Sequence, residues 1–467
     1  MADANSNAKS PATSDAPQLL RTMGLFSLVV YGVGDMVGAG IYATIGTAAG
    51  RMGNAVWLGF FVSMVAAMLT GLSYACLASR YPRAAGAAYV TQRAFHFPFL
   101  SYLIGLAVTA SGLTSMAALT NAFAKNWTEG QGFGGSRIVV LALFLFVLTA
   151  INLWGIRESM WTNLVCTAVE VGGLLLIIAV GARFWGGVDY LETAALFDEQ
   201  GQAIDNSLGI PFLLTGAVLT FYAFIGFEDM LNVAEEVKEP RRTMPRGIVL
   251  AQTIAAVLYI AVAVTAVSVV DYRELAAPGA PLDKIAARAA PWLPARTFLY
   301  ITLFAVTNTM LINYIMGSRM LYGMSRQGLV PAFLGRIHPT RRTPHIAILC
   351  LLVVVAVLAL TTPDVSPLAS ATSLLLLCSF TVVNAALIWL KFRPGEPTGG
   401  FEVPVIVPAL AMLINIALVV SKITDKSDNF RAPIIASVML AGIVVLYFLF
   451  RPKKVTEEAL ASLESNP

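Results

Sequence analysis

Gly32-Val33-Gly34-Asp35-Met36-Val37-Gly38-Ala39-Gly40-Ile41-Tyr42 decides how this chain is read. The stretch lies mid-way along the first long apolar run, about 22–48, yet it carries four glycines and an aspartate. Each glycine disfavours a continuous helix by about 1 kcal/mol relative to alanine. A charged aspartate near the bilayer centre costs roughly 2.5–3.5 kcal/mol on insertion scales. A helix that only had to span would avoid both. The stretch therefore predicts a broken helix whose freed backbone groups bind something.

Composition sets the frame around it. Of 467 residues 57% are hydrophobic and 12% charged, with a mean hydropathy of +0.74. Such a balance excludes a soluble globular domain and leaves a polytopic membrane protein. A spanning helix takes about 20 apolar residues. Twelve runs qualify: about 22–48, 55–79, 96–124, 137–156, 159–183, 210–235, 247–270, 297–323, 344–362, 367–391, 404–422 and 432–450. The expected fold is an all-α integral membrane protein of twelve transmembrane helices, whose main partner is the lipid bilayer. With both termini inside, 20 of the 31 Lys and Arg residues fall on the cytoplasmic side. That is the positive-inside bias, and it makes the acidic loop 184–209 external.

Other features carry less. The four cysteines, Cys76, Cys166, Cys350 and Cys378, all fall in apolar runs and read as small buried hydrophobes. The tail 1–20, rich in Ala, Ser, Asn and Pro, reads as disordered and lacks a cleavable leader pattern. The tail 452–467 is likewise cytoplasmic. His96, His338 and His345 lie at the cytoplasmic edge without clustered partners, so no metal, cofactor or nucleic-acid partner is expected. The loop at 80–89 reads either as a plain connector or as a short amphipathic piece packed beneath the bundle.

Span five places Asn163, Cys166, Thr167, Glu170 and Gly173 on one helical face, so Glu170 points into the protein near mid-depth. Span six is interrupted at Thr220-Phe221-Tyr222-Ala223-Phe224-Ile225-Gly226-Phe227-Glu228-Asp229. Spans three and four read as poor in polar residues apart from Asn121 and Asn152, whereas span eight holds Thr307, Asn308, Thr309 and Asn313. Span ten has a polar side in Thr372, Ser373, Ser379 and Asn384. Interrupted spans at corresponding positions of two halves point to an inverted-repeat transporter with its site at the breaks.

Four stretches in order, at the right spans, resemble the amino acid–polyamine–organocation superfamily, of the bacterial amino acid permease type. They are Gly38-Ala39-Gly40-Ile41; Pro82-x3-Gly86-x2-Tyr89; Phe224-Ile225-Gly226-Phe227-Glu228 with Glu236-Val237-Lys238-Glu239-Pro240; and Ser318-Arg319-x2-Tyr322-x-Met324-x-Arg326-x-Gly328-x2-Pro331. The resemblance implies a five-plus-five inverted repeat: 21–183 as the first repeat, 184–209 as an extracellular loop, 210–391 as the second repeat, and 392–451 as two extra helices. It implies that a substrate carboxylate meets backbone N–H groups at Gly38, Ala39 and Gly40, and that its ammonium meets the carbonyls of Met36, Tyr222, Ala223 and Ile225. Tyr222 and Phe227 fall at gate positions. Helix N-termini attract anions, and unwound carbonyls attract cations, so the physics agrees.

Two positions depart from the pattern. Proton-coupled relatives often carry a lysine in span five where Glu170 stands, and the position of Asp35 is usually small or amide-bearing. The spans hold four acids, Asp35, Glu170, Glu228 and Asp229, and no Lys or Arg at comparable depth. Either a proton or a cation, Na⁺ or a substrate amine, supplies the missing charge. Asp229 can also be read as a water-exposed residue at the edge of the break. The expected function is secondary transport of amino acids across the plasma membrane (the inner membrane of a bacterium), as proton-coupled symport or exchange. Glu170 and Glu228 are the expected coupling groups, with Asp35 beside the ammonium. Amine or polyamine transport, or Na⁺ coupling, is the alternative. No clustered nucleophile or acid–base set marks an enzyme, and no external-loop cysteine marks an obligatory ancillary subunit.

Overall fold

The computed structural model describes residues 19–84, 86–128, 133–197, 203–204, 206–277, 280–294, 296–362, 365–424 and 431–450. Of the two expected tails, residues 1–18 of the first and all of 452–467 lie outside them.

Each apolar run becomes a helix, because in lipid every backbone N–H and C=O must be satisfied within the segment itself. Span one is Leu25–Val37 followed by Ala39–Met52, and span two is Val56–Arg80. Spans three to five are Pro98–Thr128, Arg137–Trp154 and Ile156–Gly181. Span six starts as Ile210–Thr220 and resumes as Phe227–Glu236. Then come Pro240–Val269, Thr297–Arg326, His345–Thr361, Val365–Phe392, Ile406–Thr424 and Arg431–Phe450 as spans seven to twelve. Span nine, at 17 residues, is the shortest apolar crossing; the others are longer. The strand content among the described residues is one antiparallel pair, Leu196–Phe197 with Ala203–Ile204, in the loop expected to be external.

Burial separates a centre from a periphery. The apolar window of span three is 83% buried and that of span twelve 11%, so span three is core and span twelve lipid-facing. Spans eight and ten pack against span three, and span two packs against span seven. Lipid tails are as apolar as leucine, so these contacts rest on close packing and on hydrogen bonds between helices. Ser63 of span two, for example, meets the Thr220 hydroxyl at 2.7 Å, and Gln252 of span seven donates to the Ala67 carbonyl at 3.0 Å.

The 80–89 loop resolves in favour of the packed piece. Gly86–Phe95 is a ten-residue helix with Gly86 to Gln92 buried. At the same end of the bundle Glu402 accepts from both Arg80 and Lys391 at 2.7 Å, and Arg93 pairs with Glu396 at 3.1 Å. The chain before span one is clipped to the end of span six: the N–H groups of Thr22 and Met23 donate to the Glu236 carbonyl, and Lys238 N–H donates to Met23.

Candidate functional site

Span one breaks over a single residue. Gly38 has φ −42° and ψ −133°, and neither the helix ending at Val37 nor the one starting at Ala39 has a side-chain cap. Carbonyls at the first end and N–H groups at the second are therefore left to other partners. Ala39 opens the second half through its backbone; its side chain lies outside the described residues.

Span six loosens over a longer stretch. Phe221–Phe224 is a 3₁₀ turn, Ile225 is extended, and Gly226 takes φ +128°, a conformation open to glycine. Phe227–Glu236 then continues as ten residues of 3₁₀ helix. Such runs seldom exceed three or four residues and mark hinges or strain. The two breaks touch: a Cβ on Gly40 would lie 2.8 Å from Ala223 Cα, and one on Gly226 would lie 2.9 Å from Asp35 Cγ.

Between them is a cavity of about 40 Å³. At roughly 10–15 Å³ per water it holds about three waters. Asp35, Met36, Gly40, Tyr222, Ile225 and Glu228, all expected, line it. Thr309 and Asn313 of span eight and Thr372 of span ten join them. So do Ser111 and Ser115 of span three, a span read from sequence as nearly apolar. That reading missed a serine and threonine ladder, of which Ser111 and Thr114 bond their own helix while facing the centre. Among the described residues, Gly38, Ala223, Phe227 and Glu170 do not line the cavity.

The acids sit differently from one another. Glu228 is stitched to backbone, its carboxylate accepting from Gly226 N–H at 2.9 Å. The carboxyls of Asp35 and Asp229 lie in hydrogen-bond contact with each other. Asp35 Oδ2 and Asp229 Oδ1 have no partner among the described residues. Asp229 is 4% exposed, so it belongs to the cavity and not to a water-exposed edge.

Glu170 is wholly buried behind the cavity in the seam of spans one, five and eight. Asn308 donates to Thr167 at 2.9 Å, and toward Glu170 and the Gly34 carbonyl at 3.4 Å, while Asn163 donates to Asn308 at 2.9 Å. The polar face drawn on span five is thus the face that meets span eight. Tyr222 meets Ser115 at the cavity wall. Phe227 is instead packed among Tyr74 and Phe380, with ring centroids 5.6 and 5.3 Å away.

Tyr259 was not found in advance. From span seven its buried hydroxyl reaches the carbonyls of both Met36 and Ala223, the latter at 2.8 Å. It occupies two of the carbonyls expected to receive a substrate ammonium, and with one proton it donates to one at a time. Its sequence signal was a single hydroxyl in an apolar run. Toward the basic end, the buried Arg319 and Glu236 pair at 3.1 Å and Arg326 pairs with Glu235 at 3.3 Å, sealing the seam between spans six and eight.

The family model for amino acid permeases matches residues 23–450. The chain belongs to the amino acid permease family. Among relatives, the permease is 26% identical over 463 residues to the branched-chain amino acid permease BcaP of Bacillus subtilis, covering 95% of each chain. It is 31% identical over 410 residues to the vacuolar cationic amino acid transporter 4 of Arabidopsis thaliana, covering 82% of this chain and 65% of that one. It is 33% identical over 383 residues to an uncharacterized transporter of Mycobacterium bovis, covering 81% and 82%. The permease is therefore a multi-pass membrane transporter, and the resemblance drawn from its four motifs holds across nearly the whole chain.

Proposed function

We propose that the permease moves amino acids across the plasma membrane of a bacterium by alternating access, with both termini cytoplasmic and a proton as coupling ion, in symport or exchange. The two interrupted spans meeting over one cavity lined by three carboxyls carry this reading. The N-terminal end of Ala39–Met52 suits a substrate carboxylate at Gly38, Ala39 and Gly40, and the carbonyls at the end of Leu25–Val37 and around Tyr222–Ile225 suit an ammonium. The repeats, 21–183 and 210–391, rock about that site, with Tyr222 and Phe227 as gating aromatics. Glu170 is the coupling residue: it is buried in the seam that must part, with one carboxyl oxygen held by Asn308 and the other without a partner among the described residues.

Uptake of labelled amino acids into proteoliposomes under an imposed proton gradient tests both parts. Glu170→Gln is expected to abolish gradient-driven accumulation while leaving detectable substrate binding. Equal accumulation by that variant rules Glu170 out as the coupling group, and accumulation that follows a sodium gradient instead replaces the proton. A second reading, an amine or polyamine carrier, is favoured by three carboxyls in the cavity wall. Comparing binding of an amino acid with that of its decarboxylated amine separates the two.

A further inference from the structure

The cavity between the breaks has a charge imbalance. Asp35, Glu228 and Asp229 line it, and among the described residues no Lys, Arg or His does. Glu228 is accounted for, its carboxylate accepting from Gly226 N–H at 2.9 Å. Asp35 and Asp229 are not: they are 5% and 4% exposed, they touch each other, and each keeps one oxygen without a partner among the described residues. A buried carboxylate without a partner is unfavourable by several kcal/mol or more, so its partner comes from outside the chain. Two carboxyls in contact repel as a dianion. With one proton between them the pair carries a single negative charge.

We propose that the permease selects basic amino acids, whose side chain ends in an ammonium or guanidinium, and that Asp35 and Asp229 together form the specificity-determining pair for that second positive charge. This rests on the amino acid carrier reading above. A zwitterion brings no net charge to the pair, since its own carboxylate balances its ammonium; a basic amino acid brings one positive charge and matches it. The remaining wall agrees. Ser111, Ser115, Thr309 and Asn313 offer hydroxyl and amide oxygens to an N–H-rich group. The pair also spans the two breaks, Asp35 on span one and Asp229 on span six, so a cation held by both draws the breaks together as the site closes.

The test uses the purified full-length permease in sodium-free buffer, with equilibrium binding of radiolabelled lysine competed by near-isosteric pairs: lysine against norleucine, arginine against citrulline. The wild type is expected to bind the charged member of each pair at least about ten-fold more tightly, the scale of one charge-assisted hydrogen bond. That ratio should fall about ten-fold in Asp35→Asn and in Asp229→Asn, with Asp229→Glu restoring part of it; a cooperative melting transition shows that each variant is folded. A wild type that prefers the neutral member overturns the proposal whatever the variants do. So does an unchanged ratio in both folded asparagine variants, and so does stabilisation by sodium alone that vanishes in Asp35→Asn, which makes the pair an ion site. Binding of neutral amino acids would leave the carrier reading standing in each of those cases. Binding of cadaverine with no amino acid bound would bring down both.

Discussion

The two broken spans reach one site by different routes. Span one interrupts its helix at Gly38 alone, and both halves stay regular up to the break. Span six gives up regular α-helix from Phe221 to Glu236, through a 3₁₀ turn, an extended residue, a left-handed glycine and a long 3₁₀ run. The short break aims two intact helix ends at one point, which suits fixed recognition of charge. The long one stores weak hydrogen-bond geometry along the path that must rearrange when the site opens. Under the proposed function, span one supplies a fixed part of the recognition site, and span six, which also contributes Asp229, supplies most of the movement.

The most damaging way to break this comparison is at Gly226. Gly226→Val puts a β-branched residue at φ +128° with its Cβ against the Asp35 carboxyl. Strain of about 1–3 kcal/mol for such a backbone adds to the overlap, so substrate binding should disappear and the melting temperature should fall sharply. A folded, binding Gly226→Val would mean that span six tolerates other paths through its break.

Next is the seam at the basic end. Arg319→Met leaves Glu236 buried and unpaired, at a cost of about 3–5 kcal/mol. The melting transition in detergent should drop accordingly, and the double replacement Arg319→Met with Glu236→Met should recover most of the loss. If the single and double variants melt alike, the pair is not what holds span six to span eight.

A smaller effect separates the roles of the two breaks. Tyr259→Phe removes the only proton offered to Met36 and Ala223 by span seven. The empty permease should lose about 1–3 kcal/mol, while the rise in melting temperature produced by saturating substrate should exceed that of the wild type. An unchanged ligand-induced rise would show that the substrate ammonium does not take the place of the hydroxyl.

The smallest effect lies away from both breaks. Burial alone would raise the Glu402 carboxyl, but hydrogen bonds from Arg80, Lys391 and Gly399 N–H hold it at about 2. A carboxyl depressed in the folded state contributes fully above its ordinary value near 4.5 and loses that contribution as pH falls toward 2. Melting temperatures measured from pH 6 to pH 3 should therefore fall less in Glu402→Gln than in the wild type; parallel curves would show that the clamp is too exposed to count.

Much of this was legible in the chain. The twelve runs, an interruption within Gly32–Tyr42, another within Thr220–Asp229 and the polar face of span five follow from local composition and helical spacing, and each recurs in the fold. Asp35 stood out because a carboxylate in an apolar run has no local explanation. Ser111 and Ser115 did not, because isolated serine hydroxyls hardly disturb the hydropathy of an apolar run. Tyr259 was equally silent: its importance lies in reaching carbonyls 223 and 36 residues away in the chain. Asp229 could be read either way until its burial was known.

By itself, then, the sequence determined that this protein is a bundle of membrane helices with two interrupted spans, because insertion energy and helix propensity are sums over neighbouring residues. Which groups meet at the interruptions was decided by the tertiary structure alone. The pairing of Asp35 with Asp229, the hydroxyl of Tyr259 on two broken backbones and the seclusion of Glu170 behind Asn308 are contacts between distant spans, set by how glycines and small residues let those helices approach.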